Sequence, residues 1–498
     1  MIRFPYSVVA ALGGSLLLGA CSLFAPPVAL PPLTPPPIDA APAWQAPLPA
    51  GGGQSSLLEW WKQFDDPVLV ELINTSQAAS PSIAAAASRI EQARAASVSA
   101  GALLLPGVNA NASASTGRAD VGQQIITFAG ANLQASWELD LFGANQAARN
   151  AAVARLEGTQ AGWYEVRIAV AAEVAATYNS LRSCEALVIQ TEADTRSRAE
   201  TARITELGAQ AGLFPPANAA LARASAAQGR SLLAGQKAAC DLLVKSLVAL
   251  SAMDEPTLRR KLASRSAQLP QPAAIAVRSV PAAALMQRPD LLSAERLVIA
   301  AAADTAQSQA LRYPRVMISG SVGPALLRVE SSSINGNLWT IGPVQVALPL
   351  FDGGALAANV VAARARYDEA LSAYRGLVRT AVREVEAALV TLESSARRVE
   401  DTKIAVEGFE ASLRATDARF RGGLGSLFDL EEARRSALIS QSSLIELQRE
   451  YVAAWINLYR ALGGGWTIDT PPPAPLAGGA ATAETLAASP TGAPATTR

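Results

Sequence analysis

Residues 144–212 and 353–421 each run for 69 residues without a proline. Both stretches are dense in Ala, Leu, Arg and Glu with only scattered glycine, so nothing in either interrupts the helical hydrogen-bond ladder. At 1.5 Å rise per residue such a helix reaches about 100 Å, several times the length of an ordinary globular helix. It is expected to bury its apolar stripe by folding back as a coiled-coil hairpin. The return arms are read at 217–251 and 426–462. The turns carry Gly208, Gly212, Pro215 and Pro216 in the first hairpin, and Gly422, Gly423 and Gly425 in the second.

The two hairpins are read as halves of a tandem duplication. Pro81 and Pro106 bracket one helical stretch, and Pro289 and Pro314 bracket another at an offset of 208. Leu139-Asp140-Leu141-Phe142-Gly143 lies over Leu348-Pro349-Leu350-Phe351-Asp352 at an offset of 209. At the turns, Gly208 and Leu213-Phe214-Pro215 are laid over Gly422 and Leu427-Phe428-Asp429 at an offset of 214, uncertain there by one residue. Each unit reads as a helix (83–100 and 291–311), two strands, then a long helical hairpin. Residues 107–117 alternate Val108, Ala110, Ala112 and Ala114 against Asn109, Asn111, Ser113 and Ser115, the period-2 pattern of a strand with one apolar face. Residues 133–141 alternate Leu133, Ala135, Trp137, Leu139 and Leu141 against Gln134, Ser136, Glu138 and Asp140. Val316, Ile318 and Val322 with Ser319 and Ser321, and residues 344–350 with Gln345, repeat the arrangement.

Composition removes several function classes. The 498 residues contain no histidine, which removes the commonest general base, histidine-dependent nucleophile systems and nearly all catalytic zinc sites. No enzyme activity and no cofactor are expected. Lys plus Arg and Asp plus Glu are 42 each, so no net basic field exists to gather nucleic acid.

Residues 1–20 carry Arg3, an apolar run over 8–18 and small residues before Cys21, the pattern of a secretory signal. Leu18-Gly19-Ala20-Cys21 resembles the lipobox of bacterial lipoproteins, which implies cleavage before Cys21 and a lipid on it. An ordinary cleavage site with a chance cysteine is the alternative. Ser22, rather than Asp, follows, which in that family favours the outer membrane. Residues 21–56 are Pro-rich and read as an extended tether, and 466–498 as a disordered tail. No apolar stretch of about 18 residues follows Cys21, so any membrane crossing is left to strands.

Cys184 and Cys240 lie equally far on either side of the first turn, near residue 212. An antiparallel pair of arms brings them side by side, either as a disulfide in an oxidising compartment or as two small buried thiols. No metal-binding spacing is present.

A four-stranded sheet with one apolar face cannot stand alone in lipid, because its edges leave backbone groups unpaired. Three copies supply twelve strands and a barrel with an aqueous lumen. The expected fold is therefore mainly α with membrane β: a trimeric twelve-stranded β-barrel continued by a long α-helical coiled-coil barrel. Gln134, Ser136, Glu138, Asp140 and Gln345 are expected to line the pore. Catalysis by Glu138 and Asp140 is the weaker alternative, since no nucleophile or metal partner lies near in sequence. Trp137 is either a belt aromatic on the barrel exterior or an ordinary packed strand residue.

Trp60-Trp61 to Phe64, Ser136-Trp137-Glu138-Leu139-Asp140-Leu141-Phe142-Gly143, Arg288-Pro289-Asp290 with Ala294-Glu295, and Leu348-Pro349-Leu350-Phe351-Asp352-Gly353-Gly354 together resemble the outer-membrane efflux channel family. The similarity is to its TolC-like members and their lipoprotein branch, over roughly residues 57–465. It implies a homotrimer in the outer membrane, extending into the periplasm. A periplasmic adaptor and an inner-membrane transporter of the resistance-nodulation-division type are the implied partners, and the chain is then a passive, gated exit duct. The second turn, Arg419 to Asp429, is similar to the family's tip motif, which places aperture acids at Asp429 and Glu432. Arg421 or Arg435 is the candidate latch for the closed state, and a plain charged helix start is the alternative. Gly208, Gly212, Gly422, Gly423, Leu424 and Ser426 are the expected adaptor-contacting tip residues.

The implied organisation is a signal at 1–20, a lipidated tether at 21–56 and an equatorial start with the first helix at 57–106. A first β-hairpin at 107–142 and a first helical hairpin at 143–252 follow. An equatorial segment at 253–288, a second-repeat helix at 289–314, a second β-hairpin at 315–351, a second helical hairpin at 352–465 and the tail complete it. A duct serving an ABC exporter of proteins or peptides, or a non-conducting periplasmic scaffold, are the alternative functions.

Overall fold

A computed structural model describes residues 30–38, 44–48, 57–118, 125–272, 285–329 and 332–466. The signal segment, Cys21 and residues 467–498 of the tail lie outside the described residues, as do parts of the tether and of the equatorial segment. After a short 3-10 helix, Leu57–Phe64, the elements are α1 (Pro67–Ala79), α2 (Pro81–Ala102), β1 (Gly107–Arg118), β2 (Ile125–Leu139), α3 (Ala144–Gln210), α4 (Pro216–Ser251) and α5 (Glu255–Ala263). Next come α6 (Pro289–Ala310), β3 (Arg315–Val329), β4 (Ser332–Ala347), α7 (Ala355–Arg421) and α8 (Leu427–Ala461). The order helix, strand, strand, long helix, return helix thus occurs twice, and α3 and α7 are both 67 residues long.

The chain divides into two compact units. The first, formed by Met1–Asp39, Gln92–Thr159 and Leu291–Val378, holds the sheet. Its strands are ordered β1-β2-β3-β4, and every neighbouring pair is antiparallel. The register sets Ala110, Leu133, Val322 and Trp339 side by side across all four strands, and Val108, Ala135, Gly320 and Ile341 in the next row. On the opposite face Asn109, Gln134, Ser321 and Thr340 form one row, and Glu138, Met317 and Gln345 another. The ladder slips between Ile318 and Gly320, opposite Pro343, which has no N–H to give and sits in an edge strand where it is tolerated.

Both hinges from strand to helix use the same device. Asp140 accepts hydrogen bonds from the backbone N–H groups of Asn145 (3.1 Å) and Gln146 (2.7 Å). Asp352 accepts from those of Gly354 (2.9 Å) and Leu356 (2.7 Å). A carboxylate is favoured at a helix N-terminus because it satisfies donors that have no helical partner. The Leu356 and Gly354 N–H groups hold Asp352 below its ordinary pKa. Asp140, expected as a strand residue on the pore face, lies past the end of β2 and caps α3.

The second unit comprises Ala40–Glu91, Gln160–Asp290 and Arg379–Arg498. Its core gathers Trp60, Trp61, Phe64, Trp455 and Tyr459, with the Trp61 and Tyr459 rings 4.6 Å apart. Asp66 caps α1 through Val68 N and Leu69 N and accepts the Tyr178 hydroxyl at 2.6 Å. Arg182, fully buried, donates to that hydroxyl and pairs with Glu185, which accepts from Ala267 N. Burial, and then the Asp66 bond, raise the Tyr178 pKa, so the relay keeps a neutral phenol between a carboxylate and a guanidinium. Residues 44–48 were expected to be tether. Instead Trp44 and Ala46 are buried, and Gln45 N and Ala46 N each donate to Glu386 at 2.7 Å.

α3 and α4 are joined by a disulfide between Cys184 and Cys240, Cα atoms 5.6 Å apart. Closing a loop of this length removes chain entropy from the unfolded state. Replacing both cysteines by serine is expected to destabilise this helix pair by about 2–4 kcal/mol. A lowered unfolding midpoint of the double variant and a cross-linked 184/240 peptide in a non-reduced digest of the parent check this. An unchanged midpoint refutes it.

Candidate functional site

The two turns between long helices end by the same physics. Leu213 N bonds to Gly208 O (2.7 Å) and Gly212 N to Ala209 O (3.1 Å); Leu424 N bonds to Arg419 O (2.8 Å) and Gly423 N to Phe420 O (3.0 Å). This is the Schellman pattern, which requires a left-handed residue at the helix end, and Gly212 and Gly423 supply it at φ +72° and +73°. The structure therefore corrects the alignment of the turns. Gly212 corresponds to Gly423, and the N-cap Pro215 to the N-cap Ser426, an offset of 211 rather than 214. The position equivalent to Asp429 is then Asn218, not Pro215.

Phe214 folds over Gly208, where a Cβ would stand 2.3 Å from its ring, and stacks on Phe420 at 6.4 Å. Phe420, Leu427, Leu430 and Ala222 form the small core beneath the tips. Leu424 is 77% exposed, while Ser426 and Asp429 form a reciprocal capping box: Asp429 N donates to Ser426 Oγ (3.1 Å) and Ser426 N to Asp429 Oδ2 (3.4 Å). Glu432 pairs with Arg435 one turn along α8 (3.2 Å). Arg421, the other candidate latch, pairs with Asp417 on its own helix (2.9 Å).

The charged contacts that do join the helices are others. Arg198 on α3 bonds Asp194 (2.7 Å), Glu431 on α8 (3.2 Å) and Ser225 on α4 (2.7 Å). Arg434 on α8 pairs with Glu431, lies 3.9 Å from Asp194 and donates to Ser197 (2.9 Å) and Thr201 (3.1 Å) on α3. Ser225 donates to Glu431 at 2.6 Å. Two cations and two anions are thus buried together, Arg434 only 3% exposed. Sequence reading missed this quartet. Its only linear traces are the Asp194/Arg198 and Glu431/Arg434 helical spacings, which look like ordinary surface pairs.

In the sheet, Gln134, Ser136, Glu138 and Gln345 share the polar face, and Glu138 takes both branches of Arg315 (3.0 and 2.6 Å). Glu138 and Asp140 are therefore committed to different structural partners. Trp137 is half exposed and donates its indole N–H to Leu104 O (3.0 Å). On the apolar face Trp339, Ile341, Val344 and Val346 stand open to the surroundings, Ile341 at 89% exposure. Contiguous apolar area of this kind marks contact with lipid or another chain. Among the described residues no helix is long and apolar enough to cross a membrane, and no cluster of metal-ligating side chains occurs.

Amphipathic strands open on one face, joined to paired helices that meet at tightly capped turns, define an outer-membrane channel protein. The model of the outer membrane efflux protein family matches residues 72–252 and again 280–464, and the chain belongs to that family, whose members are non-enzymatic ducts. It is 30% identical over 480 residues to the pyoverdine export outer membrane protein OpmQ of Pseudomonas putida, covering 92% of this chain and 97% of that one. It is 28% identical to the toluene efflux pump outer membrane protein TtgI of the same species, covering 91% and 97%. The outer-membrane channel OprN shares its fold with a TM-score of 0.77 at 25% identity, over 89% of this chain and 99% of that one.

Removing Arg434 leaves Asp194 and Glu431 short of a buried counter-charge, which costs about 3–5 kcal/mol. Arg434→Ala is expected to raise amide exchange by about two to three orders of magnitude at residues 194–201 and 427–437, while Arg421→Ala, an exposed pair, changes it little. Equal effects of the two substitutions contradict this assignment.

Proposed function

We propose that three copies of this chain close their sheets into one twelve-stranded barrel that carries small organic molecules out across the outer membrane. The observation that carries this reading is the direction and chemistry of the sheet edges. β1 and β4 run in opposite senses, so β4 of one copy can pair antiparallel with β1 of the next. Edge strands of soluble proteins are blunted by charge. β4 has no charged residue, and β1 has none before Arg118. Two copies give eight strands, an interior that side chains fill; three give room for water. The row Asn109, Gln134, Ser321 and Thr340 then faces the lumen, and the row with Trp339 faces lipid.

The duct ends in a gate at the helix tips. Asp429 and Glu432 line the aperture, and the buried Arg198/Arg434 quartet, rather than Arg421 or Arg435, holds the second hairpin against the first. Gly208, Gly212, Gly422, Gly423, Leu424 and Ser426 present the surface met by a periplasmic adaptor, and an inner-membrane transporter of the resistance-nodulation-division type supplies the energy. A lipid on Cys21 anchors the chain. Export of pyoverdine by OpmQ and efflux of toluene by TtgI's pump support small organic molecules as cargo.

In planar bilayers the parent protein is expected to conduct weakly and Arg434→Ala several-fold more. Divalent or trivalent cations should block the current until Asp429→Ala and Glu432→Ala are added. A protein that sediments as a monomer in detergent, or an Arg434→Ala variant with no current, overturns the reading.

A further inference from the structure

We propose that a groove between α7 and α8 binds a small organic carboxylate, a property separate from conduction. The groove has a volume of about 260 Å³ and is lined by Arg383, Glu384, Ala387 and Thr391 on one side and Ala454, Asn457 and Arg460 on the other. Its floor is apolar: Ala388, Ala454 and Ala461 are buried. The Arg383 and Arg460 side chains are exposed, and among the described residues neither side chain makes an ion pair or hydrogen bond.

The carboxylates that could neutralise them are engaged elsewhere. Glu384 is bound by Arg288 at 2.9 Å, which also grips Asp290. Glu386, one turn from Arg383, spends both oxygens on Gln45 N and Ala46 N. Glu165, whose field reaches Arg460, is shared with Arg288 and, among the described residues, makes no ion pair with Arg460; burial, with Asp290 beside it, raises its pKa. Arg379 extends the same stripe of α7 by one more turn. Like charges four residues apart oppose each other on a helix, so this stripe is at odds with helix stability unless an anion relieves it.

Two guanidinium forks above a floor of methyl groups, with Asn457 as a further donor, match a carboxylate carried on an apolar body. The volume lies just below the range of about 300–1,000 Å³ for drug-sized ligands, which limits the occupant to a small molecule. Phthalate, with two carboxylates on one ring, is a suitable probe, and phthalamide is its neutral counterpart.

Saturation-transfer NMR on the full-length protein in detergent is expected to detect phthalate and not phthalamide. Affinity should fall about tenfold between 50 and 500 mM salt. Arg383→Ala with Arg460→Ala should abolish the signal. Ala387→Phe, at an exposed position, should abolish it by filling the groove while leaving every charge in place. Equal signals from the two probes, or phthalate binding that survives both variants, overturn the proposal. So does dissociation of the double arginine variant into smaller species with no phthalate signal from the parent, which would assign these arginines to contact between copies.

Discussion

Backbone hydrogen bonding at the two outer edges of the sheet is the constraint on which this chain depends. β1 and β4 each leave one row of N–H and C=O groups without a partner in the single chain, and in hydrocarbon each such group costs several kcal/mol. The side chains do nothing to discourage pairing there. β1 is built of Gly, Val, Asn, Ala and Ser, and β4 exposes Trp339, Ile341, Val344 and Val346. The proposed assembly pairs these edges with those of other copies, which removes the cost of the unpaired backbone groups in hydrocarbon.

The strands also dictate how the long helices begin. A strand that ends at Leu139 must release its backbone into a helix starting at Ala144, and the first turn of that helix lacks internal acceptors. Asp140 supplies them, and Gly143, at φ +77°, turns the chain. Asp352 and Gly354 repeat the solution in the other half. The acid that seemed suited to a pore is thus consumed by the geometry of the junction, and Glu138 is held by Arg315 across the ladder. What remains on the polar face is mostly neutral: asparagine, glutamine, serine and threonine.

The features legible in the sequence were those with a period. Alternation at residues 107–117 and 133–139 disclosed strands, and proline-free stretches disclosed α3 and α7, because local sterics and burial act residue by residue. The turns were misaligned because Leu-Phe recurs at Leu213-Phe214 and Leu427-Phe428. The first Phe sits in the turn, over Gly208, while the second lies on α8, and only the Schellman bonds at Gly212 and Gly423 separate the two cases. The Asp194/Arg198/Glu431/Arg434 quartet was invisible for a different reason. It joins residues more than 200 positions apart, and no local pattern distinguishes a buried arginine from the many exposed ones. The docking of Trp44 to Ala46 on Glu386 was hidden likewise, since a proline-rich composition describes a chain's stiffness and not the surface on which it rests.

The two hairpins, alike in length, differ in how firmly their arms are held. α3 and α4 share the Cys184–Cys240 bond, so they cannot part without breaking a covalent link. α8 begins with the capping box of Ser426 and Asp429, a contribution of about 1 kcal/mol, and among the described residues no disulfide ties it to α7. Movement at the tips is therefore cheapest if the first hairpin stays intact and the second shifts against it. The quartet lies on that seam: Arg198 and Asp194 stay with α3, Glu431 and Arg434 travel with α8. Separation would strand two charges of opposite sign on each side, already paired within their own helices at i,i+4 and i,i+3. Each helix thus carries its own neutralised pair, and the seam can open without leaving an isolated buried charge on either face. That arrangement lowers the cost of opening below what a single inter-helix salt bridge of the same burial would impose.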